Sequence, residues 1–317
     1  MEPLDDAKFS GTKEVAEHLT IEVSNLQPWI DEFVPRAGKI NSIEQFKGGQ
    51  SNPTYKIVTD SKNLVLRRKP PGKLLPSAHA VDREYKVITA LYETDVPVPK
   101  TYGLCEDDEI AGTAFFVMDF LDGDLFWNPM IPSLSNQDRT EIYQNKNKTL
   151  ALLHGVDYKK IGLEDYGKPG NYVARQVARW SKQYRASETD DIEAMNNLID
   201  WLPKNIPDDD ETSIVHGDYR LDNMILKNNQ VMGILDWELS TLGHPIADFS
   251  YHCLSWRTQE AFWDQAKLKE LGVPSEKEYM DMYCENTGKD LSKNWEFYMA
   301  FNMFKIAGIL QGILGRV

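Results

Sequence analysis

Alternating and helical spacings divide this chain near its first third. The runs "SIEQF" (42–46), "TYKIVT" (54–59) and "NLVLRRK" (63–69) read as strands, with Gly48 and Gly49 marking a tight connection after the first. In the third run Val65, Arg67 and Lys69 share one face, and Leu64, Leu66 and Arg68 share the other. "GTAFFVMDF" (112–120) predicts a fully buried strand closed by the turn "LDGD". A helix is expected within 12–34, with Trp29, Ile30 and Phe33 as its apolar face and Pro35 and Gly38 stopping it. Another spans roughly 78–92, between the loop "PPGKLLP" and the breaker "VPVPK". From there helical spacing dominates: 138–154, with Ile142, Tyr143, Leu150 and Leu153 as its stripe, then 171–186, 191–202, 259–271, 275–286 and 294–313. The expected architecture is α+β, with a small β-rich lobe over 1–118, a larger mainly helical lobe over 119–317, and a ligand cleft between them.

One polar island, 214–248, interrupts the helical part. It opens with "IVHGDYRLDNMIL", which presses His216, Asp218, Arg220, Asp222 and Asn223 between apolar runs. Met224–Leu226 and Val231–Leu235 flank "KNNQ", a turn composition, so the pair predicts a β-hairpin. Asn223 then precedes the first strand and Asp236 follows the second, side by side at the open end. Two such oxygen donors suit Mg²⁺, which takes carboxylate and carbonyl oxygens. Asp218 stands five residues before Asn223, where a carboxylate orients a substrate hydroxyl and accepts its proton in phosphoryl transfer. His216, between Val215 and Gly217, is expected to brace the loop, and Asp248 to anchor it rather than to bind metal.

H-G-D-x-x-x-x-N followed by a hairpin and "ILDWE" is similar to the aminoglycoside phosphotransferase and choline kinase group, relatives of the protein kinases. The stretches "GGQSNPTY", "VLRRKPPGKLLPSAHAVDREY" and "RQVARWSKQY" resemble the subgroup found with acyl-CoA dehydrogenases. The resemblance implies a bilobal protein-kinase-like fold with ATP as phosphoryl donor, Asp218 as catalytic base, and Asn223 and Asp236 as Mg²⁺ ligands. It also implies a strand cation paired with Glu84, at the position that kinases fill with lysine. Arg67 matches that position, whereas a register slip would bring Lys69 there, and Arg68 on the other face is expected to matter little. With two glycines in "KGGQSN", backbone amides or Ser51 and Asn52 would meet the phosphates. Met118 to Phe120 would form the hinge that offers backbone hydrogen bonds to adenine. The subgroup implies a metabolic hydroxyl acceptor, with hydroxyacyl thioesters of the CoA type among the candidates.

Composition narrows the alternatives. With 317 residues, 41% hydrophobic and 26% charged, the chain has ordinary globular proportions. A net charge of −14 disfavours a nucleic-acid partner. Three dispersed cysteines fit a reducing cytoplasm. "FYMAFNMFKIAGILQGILG" is broken by Asn302, Lys305 and Gln311, which predicts a buried helix rather than a membrane span. The last residues, "GILGRV", carry no clear helix stop, so a longer native chain is expected. Two other readings compete. One is a nucleotide-holding pseudokinase, which Arg67 mildly favours. The other is a two-metal hydrolase built on His216, Asp218, Asp236, His244, Asp248 and His252, although the metal-binding histidine spacings are missing.

Overall fold

The computed structural model describes residues 10–48, 52–72 and 80–315. The chain forms two compact units, one comprising residues up to Ser133 with Arg220–Leu239, the other Leu134–Tyr219 with Ser240 onward. The expected boundary at 118/119 therefore moves to 133. The first unit also takes back the hairpin, because that hairpin pairs with earlier chain: Asp124 and Leu226 exchange backbone hydrogen bonds of 2.7 and 2.8 Å.

The first unit is built on a six-stranded antiparallel sheet in the order β1-β2-β3-β4-β6-β5. Its strands are β1 (Thr12–Lys13), β2 (Ile40–Phe46), β3 (Thr54–Thr59), β4 (Asn63–Arg68), β5 (Thr101–Cys105) and β6 (Phe115–Asp119). Helices α1 (Val23–Phe33), α2 (Val81–Leu91) and α3 (Asp108–Ala111) accompany it. Residues of one periodicity meet the other in a single core, where Leu26, Trp29 and Ile30 of α1 lie with Tyr55, Ile57, Leu64, Leu66, Phe115 and Val117 of the sheet. The helix expected within 12–34 is shorter than predicted. Thr12 and Lys13 pair with Gln45 and Phe46 as an edge strand, and α1 starts only at Val23. Strand β5 has no counterpart among the expected elements, since "TYGLC" alternates weakly.

The second unit holds α4 (Asn136–Gly155), α5 (Tyr172–Ser187), α6 (Glu193–Trp201), α7 (Pro245–Cys253), α8 (Ser255–Thr258), α9 (Gln265–Leu271), α10 (Glu276–Thr287) and α11 (Trp295–Leu314). Helices α4 and α10 both begin in capping boxes, Ser135 with Asp138 and Ser275 with Glu278, which satisfy otherwise orphaned N–H groups. Aromatic rings fill the interior. Phe249 of α7 stacks on Tyr283 of α10 at 3.9 Å, and Tyr279 packs on Phe249, Tyr143 and Trp256. Helix α11 is long and apolar enough to cross a membrane by length and composition, and about half of it is buried here. The polar residues that interrupt it are tied in: Asn302 donates to the Ala247 carbonyl and Ser250 Oγ, and Gln311 to the Ser187 carbonyl and Thr189 Oγ1. A short antiparallel pair, Ser213–Val215 with Thr241–Gly243, carries the chain into and out of the polar island.

Candidate active site

Period-two alternation decides which cation of β4 enters the site. Arg67 Nε donates to Glu84 of α2 at 2.8–3.0 Å, and its Nη2 reaches Asp236 Oδ1 at 2.6 Å. Lys69 instead approaches Asp82 at 3.8 Å, half-exposed. Arg68 points the other way, into the core, where it donates to the carbonyls of Leu19 and Ala111 and lies over the Tyr55 ring. Arg68 is therefore a core brace, not the inconsequential residue expected from its face.

The guanidinium bonds two carboxylates, those of Glu84 and Asp236, and Glu238 adds to the negative charge acting on it. Burial works against its charge, but Glu84 and Asp236 outweigh that and hold Arg67 protonated. Glu84 is almost fully enclosed. Burial is the largest influence on it and pushes its carboxyl up to about 7; Arg67 opposes this, while Asp236 and Glu238 reinforce it. The cluster thus carries surplus negative charge.

Asp236 sits at the end of the predicted hairpin, Met224–Lys227 with Gln230–Ile234. Asn228 and Asn229 form its two-residue turn, both with positive φ (51° and 61°), the geometry of a type I′ connection. The pairing continues one step past the strands, with Leu235 N–H donating to the Asn223 carbonyl at 2.8 Å. That places Asn223 opposite Leu235 and next to Asp236 at the open end. Asp236 itself adopts φ +62°, uncommon for a residue with a Cβ, and the next residue, Trp237, is buried with Nε1 bonded to the Ile234 carbonyl. The backbone is bent so that the carboxylate returns toward Arg67.

In the second unit the loop before Asp218 is hung from Asp248. This buried carboxylate accepts the N–H groups of His216 (2.8 Å) and Gly217 (2.9 Å) and lies 3.2 Å from His154 Nε2. Burial alone would raise the Asp248 carboxyl, but His154, His216 and the backbone bond together hold it below the usual carboxylate value. Gly217 has φ +83°, which a side chain would strain. His216 Nδ1 accepts the Asp218 N–H at 3.2 Å, so this histidine braces the loop. His252 is clamped between the Tyr219 carbonyl (2.6 Å) and Tyr279 Oη (3.0 Å), and burial keeps its pKa well below the usual value. His244 is held by the Asp209 carbonyl and Tyr298 Oη. Each of the three histidines proposed for a hydrolase thus bonds its own neighbours, His244 through Nε2 only, its buried Nδ1 having no partner among the described residues.

The remaining expected residues divide. Asn52 is fully buried and donates to Glu84 Oε1 at 2.9 Å, so it braces the glutamate instead of facing an opening for phosphate. Ser51 lies outside the described residues. Met118 pairs with Val65 inside the sheet, and the N–H groups of Asp119 and Phe120 are taken by the Lys100 and Asn63 carbonyls. A base at this edge would meet carbonyls or N–H groups beyond Phe120, which narrows the expected 118–120 hinge. Phe120 also lies nearly parallel to Phe46, with centroids 6.4 Å apart, beneath the Lys56 ammonium at 4.9 Å. Sequence reasoning misses Phe46 because it reads as the last apolar residue of a strand.

Residues 42–283 match the phosphotransferase enzyme family. Acyl-CoA dehydrogenase family member 10 of Mus musculus is 46% identical over 86% of this chain, but the match covers 26% of that protein, so the chain spans about a quarter of this relative's length. A Ralstonia eutropha JMP134 structure, provisionally named an aminoglycoside phosphotransferase, is 49% identical with a TM-score of 0.85, covering 94% of this chain and 90% of that one. A thermostable mutant of aminoglycoside phosphotransferase APH(4)-Ia, solved with AMP-PNP and hygromycin B, shares the fold at 14% identity and a TM-score of 0.55, over 92% of this chain and 99% of its own. The expected protein-kinase-like α+β fold is the observed one, and the chain belongs to the phosphotransferase enzyme family.

Proposed function

We propose that this protein is an ATP- and Mg²⁺-dependent small-molecule kinase that transfers the γ-phosphate to a hydroxyl. The observation that carries this reading is Arg67, bound at once to Glu84 and to Asp236 at the hairpin end. A cation fixed beside a carboxylate of the hairpin is what a triphosphate–metal complex requires. Asp236 keeps Oδ2 outside its bond to Arg67, and Asn223 adds a side-chain oxygen beside it. Together with substrate phosphates these donors match Mg²⁺, which needs few protein ligands. The surplus negative charge around Arg67 favours a cation there as well. Bound Mg²⁺ would neutralise charge on the β- and γ-phosphates. Arg67 grips phosphate oxygens while Glu84 and Asn52 hold its side chain. Phe46 and Phe120 offer aromatic faces for a base. Asp218 orients the acceptor hydroxyl and takes its proton, from a loop that Asp248, His216 and His252 keep rigid.

The acceptor we favour is a metabolic hydroxyl compound, with hydroxyacyl-CoA thioesters first in line, given the relative named as an acyl-CoA dehydrogenase family member. Cytoplasmic residence without nucleic-acid or membrane partners belongs to the same proposal, on the strength of the −14 charge and scattered cysteines. The test is calorimetry with Mg·ATP on the wild type and Asp236→Ala, followed by a ³¹P NMR screen of hydroxylated metabolites and CoA thioesters. Binding by the wild type and its loss in Asp236→Ala are expected, with phosphoester formation on at least one acceptor. Equal Mg·ATP binding by both proteins would refute the site. Tight binding without transfer to any acceptor would favour a nucleotide-holding module.

A further inference from the structure

The backbone on either side of Asp218 is held by two rows of hydrogen bonds, and both rows end on helix α10. Before Asp218, the N–H groups of His216 and Gly217 hang from Asp248, whose Oδ2 lies 3.2 Å from His154 Nε2 of α4. The other nitrogen of that ring, Nδ1, is 2.6 Å from Tyr283 Oη of α10. After Asp218, the Tyr219 carbonyl is 2.6 Å from His252 Nδ1 of α7, and His252 Nε2 is 3.0 Å from Tyr279 Oη of α10. Tyr279 and Tyr283 stand one turn apart, and Phe249 of α7 stacks on both rings. The second row also closes on α4. Tyr219 Oη donates to the Lys146 carbonyl at 2.8 Å, and the adjacent Asn147 Nδ2 donates to the Tyr279 carbonyl at 2.8 Å.

The acceptors in these rows dictate where the protons sit. A carbonyl oxygen only accepts, so His252 Nδ1 carries a hydrogen. Burial keeps this ring neutral, and the Tyr279 hydroxyl donates to the lone pair left on Nε2. The Asp248 carboxylate also only accepts, so His154 Nε2 carries a hydrogen toward it. The two rings thus use different nitrogens to face the loop, and in each the opposite nitrogen meets a tyrosine hydroxyl. Which nitrogen of a histidine is protonated follows from the bond that the other one makes. Burial lifts both phenols well above the usual tyrosine value, so neither hydroxyl ionises. Apolar side chains would fill this interior at less cost, because a buried polar row is favourable only when every member is satisfied. Position is what the polar rows add, and small errors in the position of a reacting group lower rates steeply.

We infer that Tyr279 and Tyr283 are positioning residues for Asp218: each hydroxyl fixes the proton of one histidine, and the two histidines hold the backbone before and after the carboxylate. The inference rests on the kinase reading and deepens it by making α10 the helix that keeps the base in place. Both tyrosines act through other residues, so their loss is read in turnover. The nucleotide contacts assigned to Arg67 and Asp236 share no hydrogen bond with either row.

The test compares wild type with Tyr279→Phe, Tyr283→Phe and the control Tyr184→Phe, which removes a buried hydroxyl of α5 that has no partner among the described residues. ¹⁵N NMR of histidine-labelled, nucleotide-free protein reads the ring protons, and amide hydrogen exchange reads the backbone of 216–219. Phosphate release from Mg·ATP, with water as the acceptor, reads turnover. Wild type should show a neutral His252 protonated at Nδ1, and His154 with a proton on Nε2. Tyr279→Phe should shift the His252 Nε2 signal, and Tyr283→Phe the His154 Nδ1 signal. Each should speed exchange at 216–219 and lower kcat by roughly tenfold or more, with KM for Mg·ATP within about twofold of wild type. Tyr184→Phe should match wild type throughout. A wild-type His252 protonated at Nε2 overturns the inference, as do wild-type exchange and kcat in the two α10 variants. A fall in kcat that Tyr184→Phe shares, or that comes with an equal rise in KM, marks a merely structural role and overturns it too. Each α10 variant reports on its own row, so one that fails to fold leaves the other to decide. Absence of any Mg·ATP turnover in wild type counts against the kinase reading alone, because ring protons and exchange are read without nucleotide.

Discussion

Replacing Glu84 by glutamine should change how stability depends on pH, and in a direction opposite to that of most salt-bridged carboxylates. Folding raises the Glu84 carboxyl from 4.5 to about 7, because burial and the neighbouring Asp236 and Glu238 outweigh Arg67. Between those values the native state holds a proton that the unfolded chain has released. Stability from this group is therefore complete below about 4.5 and is lost as pH rises through about 7. At roughly 1.4 kcal/mol per pH unit the whole interval amounts to on the order of 3 kcal/mol. For a unit of this size that corresponds to a shift of roughly 6–12 °C in the unfolding midpoint. Glutamine cannot titrate, so Glu84→Gln should flatten the decline between pH 4.5 and about 7. The assay is calorimetric unfolding of both proteins across that range, read as the difference between the two curves. A divalent cation at Asp236 should offset the surplus charge and draw Glu84 back down, so stabilisation by Mg·ADP should grow with pH in wild type and less so in Glu84→Gln. Parallel pH curves for the two proteins would refute the argument that this cluster carries excess negative charge.

Other substitutions separate the roles of neighbouring residues. Arg67→Ala should raise KM for ATP at least tenfold and lower kcat, whereas Arg68→Ala should leave KM for ATP near wild type and cost about 1–3 kcal/mol of stability, since it strands the Ala111 carbonyl and leaves the Leu19 carbonyl with Tyr55 Oη as its donor; steady-state kinetics and urea unfolding distinguish them. Asp218→Asn should retain the fold and Mg·ATP affinity while kcat falls by roughly 10²–10⁴, and near-native turnover with the true acceptor would move the base elsewhere. Asp248→Asn should cost on the order of 3 kcal/mol in unfolding experiments and lower kcat without altering KM for ATP, because the His216–Gly217 backbone loses a charged acceptor.

The legible parts of this molecule are those in which one physical rule acts alone. The hairpin is readable because two apolar runs flank a pair of asparagines, residues that tolerate positive φ, and both asparagines adopt it. The choice of Arg67 over Arg68 follows from alternation along β4, and the Val65–Met118 pair fits that register; Lys69 shares the face of Arg67 but lies just past the strand's end, where it approaches Asp82. Where several rules compete, the sequence is silent. Helix α7 is buried on almost every side, with Asp248, Ser250 and His252 inside, so neither an apolar stripe nor a polar face marks it. Asn52 looks like a phosphate contact because its neighbours are glycines, yet its partner, Glu84, lies 32 residues away. Lys305 counts in the sequence only as an interruption of an apolar run; its seat over the Tyr251 ring depends on packing of α11 against α7 that no local pattern encodes.

Arginine at position 67 is also explicable from the cluster it serves. A lysine ammonium is a single point with three donors, and reaching both Glu84 and Asp236 would place it between them at the expense of any phosphate. The guanidinium meets both carboxylates with separate nitrogens. Its Nε faces Glu84 and its Nη2 faces Asp236, which leaves Nη1 as a further donor on the same plane. Two carboxylates on one cation, with Glu238 adding further negative charge, would be a poor arrangement for a purely structural core, where a buried pair works best in balance. On the proposed kinase reading, the imbalance would become favourable with a metal-bound triphosphate: the metal would be held by Asp236 and supply positive charge, and the phosphates would supply negative charge to Arg67. The imbalance that raises Glu84 in the free protein would then be relieved, so nucleotide binding and proton release at Glu84 are predicted to be linked.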